Sequence, residues 1–98
     1  MSVAFAPRAL RDIDEILTYI HARNPVGARN VSLVIEQTIA LCGLNPFAGL
    51  RTDRSNVFRA PLSRCRYAIF YRVDEARDRI EVIRVVHGAR LKRLNEPR

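Results

Sequence analysis

This sequence has little lysine, little cysteine and no long apolar run, and each shortage removes a class of function. No stretch approaches the roughly 20 consecutive apolar residues that a membrane span needs. The opening MSVAFAPRAL meets charge at Arg8 after only a short apolar stretch, so no signal peptide is expected and a soluble, cytoplasmic protein is. The two cysteines, Cys42 and Cys65, lie far apart and have no histidine or second thiol at metal-ligand spacing. Two reduced thiols are therefore expected, with Cys42 on an apolar helix face, and neither a metal nor a cofactor. Internal repeats and low-complexity tracts are missing as well. Lys92 is the only lysine, so arginine supplies the other sixteen of the 17 basic residues. Arginine is the side chain suited to bidentate contact with phosphate or carboxylate.

What remains is a chain of 98 residues, 48% hydrophobic, with a formal net charge of +7. That is enough apolar material for one domain, 1–98, with a single two-layer core. The charge is unevenly placed. Residues 1–50 balance four arginines against four acids, while residues 51–98 carry twelve arginines and Lys92 against six acids. The whole excess sits in the second half, which favours an anionic partner, either nucleic acid or an acidic protein surface. A solvated basic face is the plainer alternative.

The elements follow from pattern. SVAF (2–5) reads as a short strand, and Pro7 fits the first position of a helix, where its missing N–H costs nothing. Leu10, Ile13, Ile16, Leu17 and Ile20 make one helical stripe; Arg8, Arg11, Asp12, Asp14, Glu15 and Thr18 fill the opposite side, with the acids early in the helix. Asn24 and Pro25 then cap and open a second helix. Its expected inner face is Ala28, Val31, Ile35, Thr38, Ile39 and Cys42, and Gly43 is suited to a left-handed C-cap. The linker is short enough to force an antiparallel hairpin. Residues 45–56 are turn-rich. VFRAPL (57–62), RYAIFYRV (66–73) and RIEVIRVVH (79–87) read as strands, the first cut short by Pro61. On the last strand, simple alternation puts Ile80, Val82, Arg84 and Val86 on one face, and Glu81, Ile83, Val85 and His87 on the other. The order is β-α-α-β-β-β, an α+β domain with a helical hairpin packed on one face of a small antiparallel sheet.

In that order, FAPRALRDIDEILTYI, NPVGARNVSLVIEQTI, LNPFAGLRTD, RYAIFYRV and IEVIRVVHGAR resemble the ParE branch of the ParE/RelE toxin superfamily of bacterial type II toxin–antitoxin systems. One departure is Ala6, where relatives often carry a Ser or Thr cap. The resemblance covers nearly the whole chain and implies the same β-α-α-β-β-β order. It also implies a cognate ParD-like antitoxin that wraps and neutralises the toxin, and one of two targets. ParE-like members poison DNA gyrase; RelE-like members cut messenger RNA in the ribosomal A site.

The stretch RVVHGAR (84–90) poses the choice between them. Cleavage through a 2′-hydroxyl needs a base, an acid and charge stabilisation at the phosphorane. Arg59, Arg66, Arg84, His87 and Arg90, with Tyr67 or Tyr71, are the candidates, histidine being the side-chain type that serves as acid or base near neutral pH. Against this, the tail LKRLNEPR holds no aromatic residue and one lysine, whereas RelE-like nucleases commonly have a C-terminal aromatic and a lysine-rich surface. The leading expectation is thus a non-enzymatic toxin that binds gyrase through Arg84, His87, Arg90, Lys92 and Arg93, with nucleic acid contacted only in the nuclease alternative. A degenerate member that only binds an antitoxin is the third possibility. Plainer roles stand beside these: His87 bonded to backbone, Arg84 paired with Asp12, Asp14 or Glu15, and both tyrosines in the core with wet hydroxyl tips. Tyr19, Phe47 and Leu50 are the expected apolar anchors for the antitoxin.

Overall fold

The computed structural model describes residues 1–88. Strand β1 (Ser2–Phe5) leads into helix α1 (Pro7–His21), followed by α2 (Pro25–Leu44), β2 (Leu50–Arg51), β3 (Val57–Pro61), β4 (Tyr67–Asp74) and β5 (Arg79–His87). The strands form one sheet in the order β1-β5-β4-β3-β2. The α+β class, the helical hairpin and every expected element are present. Two features go beyond expectation. The turn-rich segment 45–56 contains β2, which pairs Leu50 with Arg59 and Arg51 with Phe58. A two-residue strand has no pattern of its own; the edge of β3 creates it. The sheet is also not wholly antiparallel, because β1 runs parallel to β5 from Ser2↔Arg79 to Phe5↔Val82.

Local signals explain the helix starts. Pro7 and Pro25 each open a helix, and the Asn24 Oδ1 accepts the Gly27 N–H at 3.0 Å. Ala6 offers α1 no side-chain cap, but its own N–H donates to the Val82 carbonyl at 2.9 Å, so sheet pairing continues up to the first helical turn. The C-terminus of α2 differs from expectation. Gly43 is inside the helix and does not adopt a left-handed cap; Asn45 ends the helix with φ −134°. Gly43 gives the N-terminus room for a close approach there. The N-terminal ammonium donates to its carbonyl at 3.1 Å, and a Cβ at Gly43 would stand 3.2 Å from the Met1 carbonyl oxygen.

The core lies between the hairpin and one sheet face. Ala9, Ile35, Ile39 and Cys42 from the helices meet Ile69, Tyr71, Val73, Ile80, Val82 and Val85 from the sheet. That set corrects the simple alternation on β5. Phe70 pairs with Arg84 and Tyr71 with Val82, so Ile83 is an extra residue in the ladder, a β-bulge. Past the bulge each side chain changes face. Val85 therefore joins Ile80 and Val82 in the main core, while Val86 joins Val57, Phe70 and Ile83 in a smaller cluster.

The α1 stripe holds at Ile13 and Ile16, which pack against the core, and departs from expectation at its start. Leu10 is exposed, no acid stands in the first turn, and Asp12, expected outside, is buried at 5% exposure. The cause is the ion-pair network described next.

Candidate functional site

Asp12 ties α1 to the end of β5 at Arg84. Its Oδ2 accepts the Arg84 Nε–H at 2.7 Å and the Val85 backbone N–H at 3.0 Å. Its Oδ1 accepts the Arg8 Nε–H at 3.1 Å and a longer bond from Arg84 Nη2 at 3.4 Å. Of the three acids open to Arg84, Asp12 alone takes it, because a carboxylate there also satisfies the amide just past the bulge.

Two strands away, Arg59 is half-buried on β3, directly across from Phe70, which pairs in turn with Arg84. Arg66 is exposed just before β4, and its carbonyl accepts the Gly88 N–H, closing the open end of the β4–β5 pair. His87 ends β5 with its ring edge-on to Tyr67, centroids 5.2 Å apart at 88°. Burial pushes the Tyr67 hydroxyl above its ordinary range, with nearby Tyr19 and Cys65 adding to the effect. Arg66, Tyr67 and His87 thus share one sheet end, while Arg59 stands on β3. Arg90, Lys92 and Arg93 lie outside the described residues.

Tyr71 is not the wet-tipped core tyrosine that was expected. It is fully buried, and its hydroxyl donates to the Pro46 carbonyl at 2.8 Å. Burial first, and nearby Cys42 second, push its pKa up to about 12. The hydroxyl supports the loop after α2. Gly49 crosses it so closely that a Cβ there would lie 2.5 Å from the Tyr71 Oη. The sign of the pH dependence follows: an unfolded tyrosine ionises near pH 10 and the folded one near 12, so stability is intact below pH 10 and falls as pH rises toward 12. Alkaline urea titrations are expected to show this fall, and Tyr71→Phe to show less of it while losing about 1 kcal/mol at neutral pH with the hydroxyl bond.

The same loop walls an apolar groove of about 360 Å³, lined by Leu41, Cys42, Ala48, Gly49, Leu50 and Pro61 around the Tyr71 ring. Phe58 stacks on Tyr71 (5.7 Å, 22°), and Phe47 packs edge-on against Phe58 (5.8 Å, 76°). Of the expected anchors, Leu50 lines the groove and Phe47 packs beside it, 49% and 52% exposed. Tyr19 is exposed on α1, is not among the lining residues, and carries the Arg23 guanidinium 3.8 Å above its ring. Leu41 went unnoticed in the sequence, although it is 60% exposed and also lines a second, open groove along α2 with Leu33, Val34 and Cys65. Thr38 and Leu41 are common to both, so one track follows the side of α2. Cys42 is a buried free thiol, its pKa raised by burial against a lowering contact from Tyr71, and Cys65 is free too. Among the described residues no cluster of His, Cys, Asp or Glu could hold a metal, and no helix is long and apolar enough to cross a membrane.

A helical hairpin over one face of a mostly antiparallel five-stranded sheet is the architecture of the RelE/ParE class. Two solved structures share it. The chromosomal ParDE system from P. aeruginosa superposes with a TM-score of 0.76 at 21% identity, covering 89% of this chain and 95% of that one. The RelBE2 toxin–antitoxin complex from Mycobacterium tuberculosis gives 0.57 at 25% identity, covering 88% of each chain. No curated protein sequence matches. The chain belongs to the ParE toxins of type II toxin–antitoxin systems (parDE), whose family model matches residues 3–92.

Proposed function

We propose that this toxin is held silent in the cytoplasm by a cognate ParD-like antitoxin and that, once released, it inhibits DNA gyrase by docking, without chemistry of its own. The fold neighbours come from a ParDE system and a RelBE2 complex, which supports an antitoxin partner. The track beside α2 suits such a partner: it is apolar, open, and belongs to a chain of net charge +7 that attracts an acidic amphipathic segment. Leu41, Phe47 and Leu50 are its anchors in this reading.

The observation that favours docking over cleavage is the state of Arg84. It is the arginine best placed on β5, and its guanidinium is held by Asp12 at 2.7 Å. An arginine fixed in this way shapes a surface; it is not free to swing onto a phosphorane. Target recognition then rests on His87 and on Arg90, Lys92 and Arg93 beyond it, with Arg84 as a buttress.

Two assays on the antitoxin-free protein test the reading: gyrase supercoiling with DNA cleavage, and messenger cleavage on programmed ribosomes. Gyrase inhibition with intact message is the expected result. Message cut only on ribosomes would make His87, Arg59, Arg66 and Arg90 catalytic and overturn it, and inactivity in both would mark a degenerate member. Charge reversal at Arg90 and Arg93 together is expected to weaken gyrase inhibition at least tenfold while the melting temperature stays unchanged. Full toxicity at wild-type stability would remove these residues from the target surface.

A further inference from the structure

Helix α2 carries apolar side chains on both long faces. Ala28, Ile35, Ile39 and Cys42 point into the core. On the opposite side Val26 and Leu33 are 65% and 49% exposed, and Ala40 and Leu44 are exposed beyond them. A helix turns about 100° per residue, so residues seven apart lie nearly in line. Val26, Leu33 and Ala40 therefore form one ridge, turned away from Ile35. A ridge that stays apolar along a 20-residue helix is unusual for a face left in water.

We propose that this ridge binds a second copy of the chain, the two α2 helices packing antiparallel across a two-fold axis at Leu33. The ridge is self-complementary in that arrangement. Each residue meets one equally far beyond the axis, and residues on the same flank face each other. Leu33 meets the partner's Leu33, and Val26 meets the partner's Ala40. The flanks match as well, with Arg29 facing the partner's Glu36 on one side and Asn30 facing the partner's Gln37 on the other. Among the described residues, none of these four side chains is engaged in an ion pair within its own chain. A parallel pair would set the Arg29 flank against the Asn30 flank and leave the ion pairs unmade, so charge selects the antiparallel sense. Leu33, Asn30 and Gln37 also line the track beside α2, so a second copy and the antitoxin proposed for that track exclude each other. One arginine and one glutamate make the flanks of the ridge neutral overall, a match for another copy.

Sedimentation velocity on the antitoxin-free toxin, over a wide concentration range, is expected to show a monomer–dimer equilibrium. Leu33→Glu sets two carboxylates together on the axis and is expected to raise the dissociation constant about a hundredfold. Arg29→Glu and Glu36→Arg, each acting twice by symmetry, are expected to raise it about tenfold, and the double variant R29E/E36R to return it near wild type. All three positions are exposed, and thermal melts check that the variants keep the fold. A toxin that stays monomeric at every concentration overturns the proposal, as does a dimer that Leu33→Glu leaves intact. A monomer whose Leu33→Glu variant loses the antitoxin assigns the ridge to the antitoxin and overturns it too.

Discussion

Asp12→Ala is expected to lower the free energy of unfolding by about 3 kcal/mol, a large share of the margin available to a domain of this size. The carboxylate it removes satisfies Arg84, Arg8 and the Val85 amide at once. Without it the Val85 N–H is left buried with no partner, and the Arg84 side chain, 28% exposed, keeps its charge against apolar neighbours. Arg8 contributes little to the cost, because 47% of its side chain is already in water. Asp12→Asn preserves the shape and one acceptor for Val85 but loses the charge pairing, so it is expected to cost roughly half as much. Urea unfolding measures both. Amide exchange adds a local readout, since Val85 should exchange much faster in the alanine variant while the β3–β4 ladder keeps its protection. A loss under about 1 kcal/mol would mean that water replaces the carboxylate at this sheet end, and Arg84 would then be free surface after all.

The same network marks where reading the sequence succeeds and where it stops. Helix starts were legible because they depend on near neighbours: Pro7 at a first helical position, Asn24 capping Gly27. The strands on each side of the 74–79 turn were legible from their apolar content. The facing of β5 was not, because one extra residue at Ile83 reverses it, and a bulge leaves no local signature in VIRVV. The partner of Arg84 was legible only as a choice of three acids on α1. What decides among them is an amide 73 positions away in the chain, exposed by that bulge. β2 and the helical Gly43 are tertiary effects of the same kind, one imposed by an edge and one by a close approach of the N-terminus. The apolar track beside α2 was half-legible. Phe47 and Leu50 stand out in a polar loop, but Leu41 is concealed by a helix whose inner stripe is already complete without it.

Leu50→Glu is expected to reduce antitoxin affinity about a hundredfold, close to 3 kcal/mol, with little change in the toxin's own stability. Two effects act in the same direction. A carboxylate at the wall of an apolar groove must either be desolvated by the incoming segment or hold that segment away. It also repels an acidic segment at the spot where a strongly basic protein would attract one. The fold tolerates the change because β2 is held to β3 through backbone pairing at Leu50↔Arg59, and the side chain is already half in water. Leu50→Met keeps shape and polarity and should bind within a few-fold of wild type. Calorimetric titration with the purified antitoxin decides the matter. Parallel growth assays should show cells rescued from the wild-type toxin and not from the glutamate variant. Equal affinity for Leu50→Glu and wild type would move the antitoxin off this groove, whereas a loss shared by Leu50→Met would point to a β2 that cannot bear any change. A glutamate variant that binds no antitoxin and still inhibits gyrase would show that neutralisation and target recognition use separate faces, the track beside α2 for one and the arginine-rich sheet end for the other.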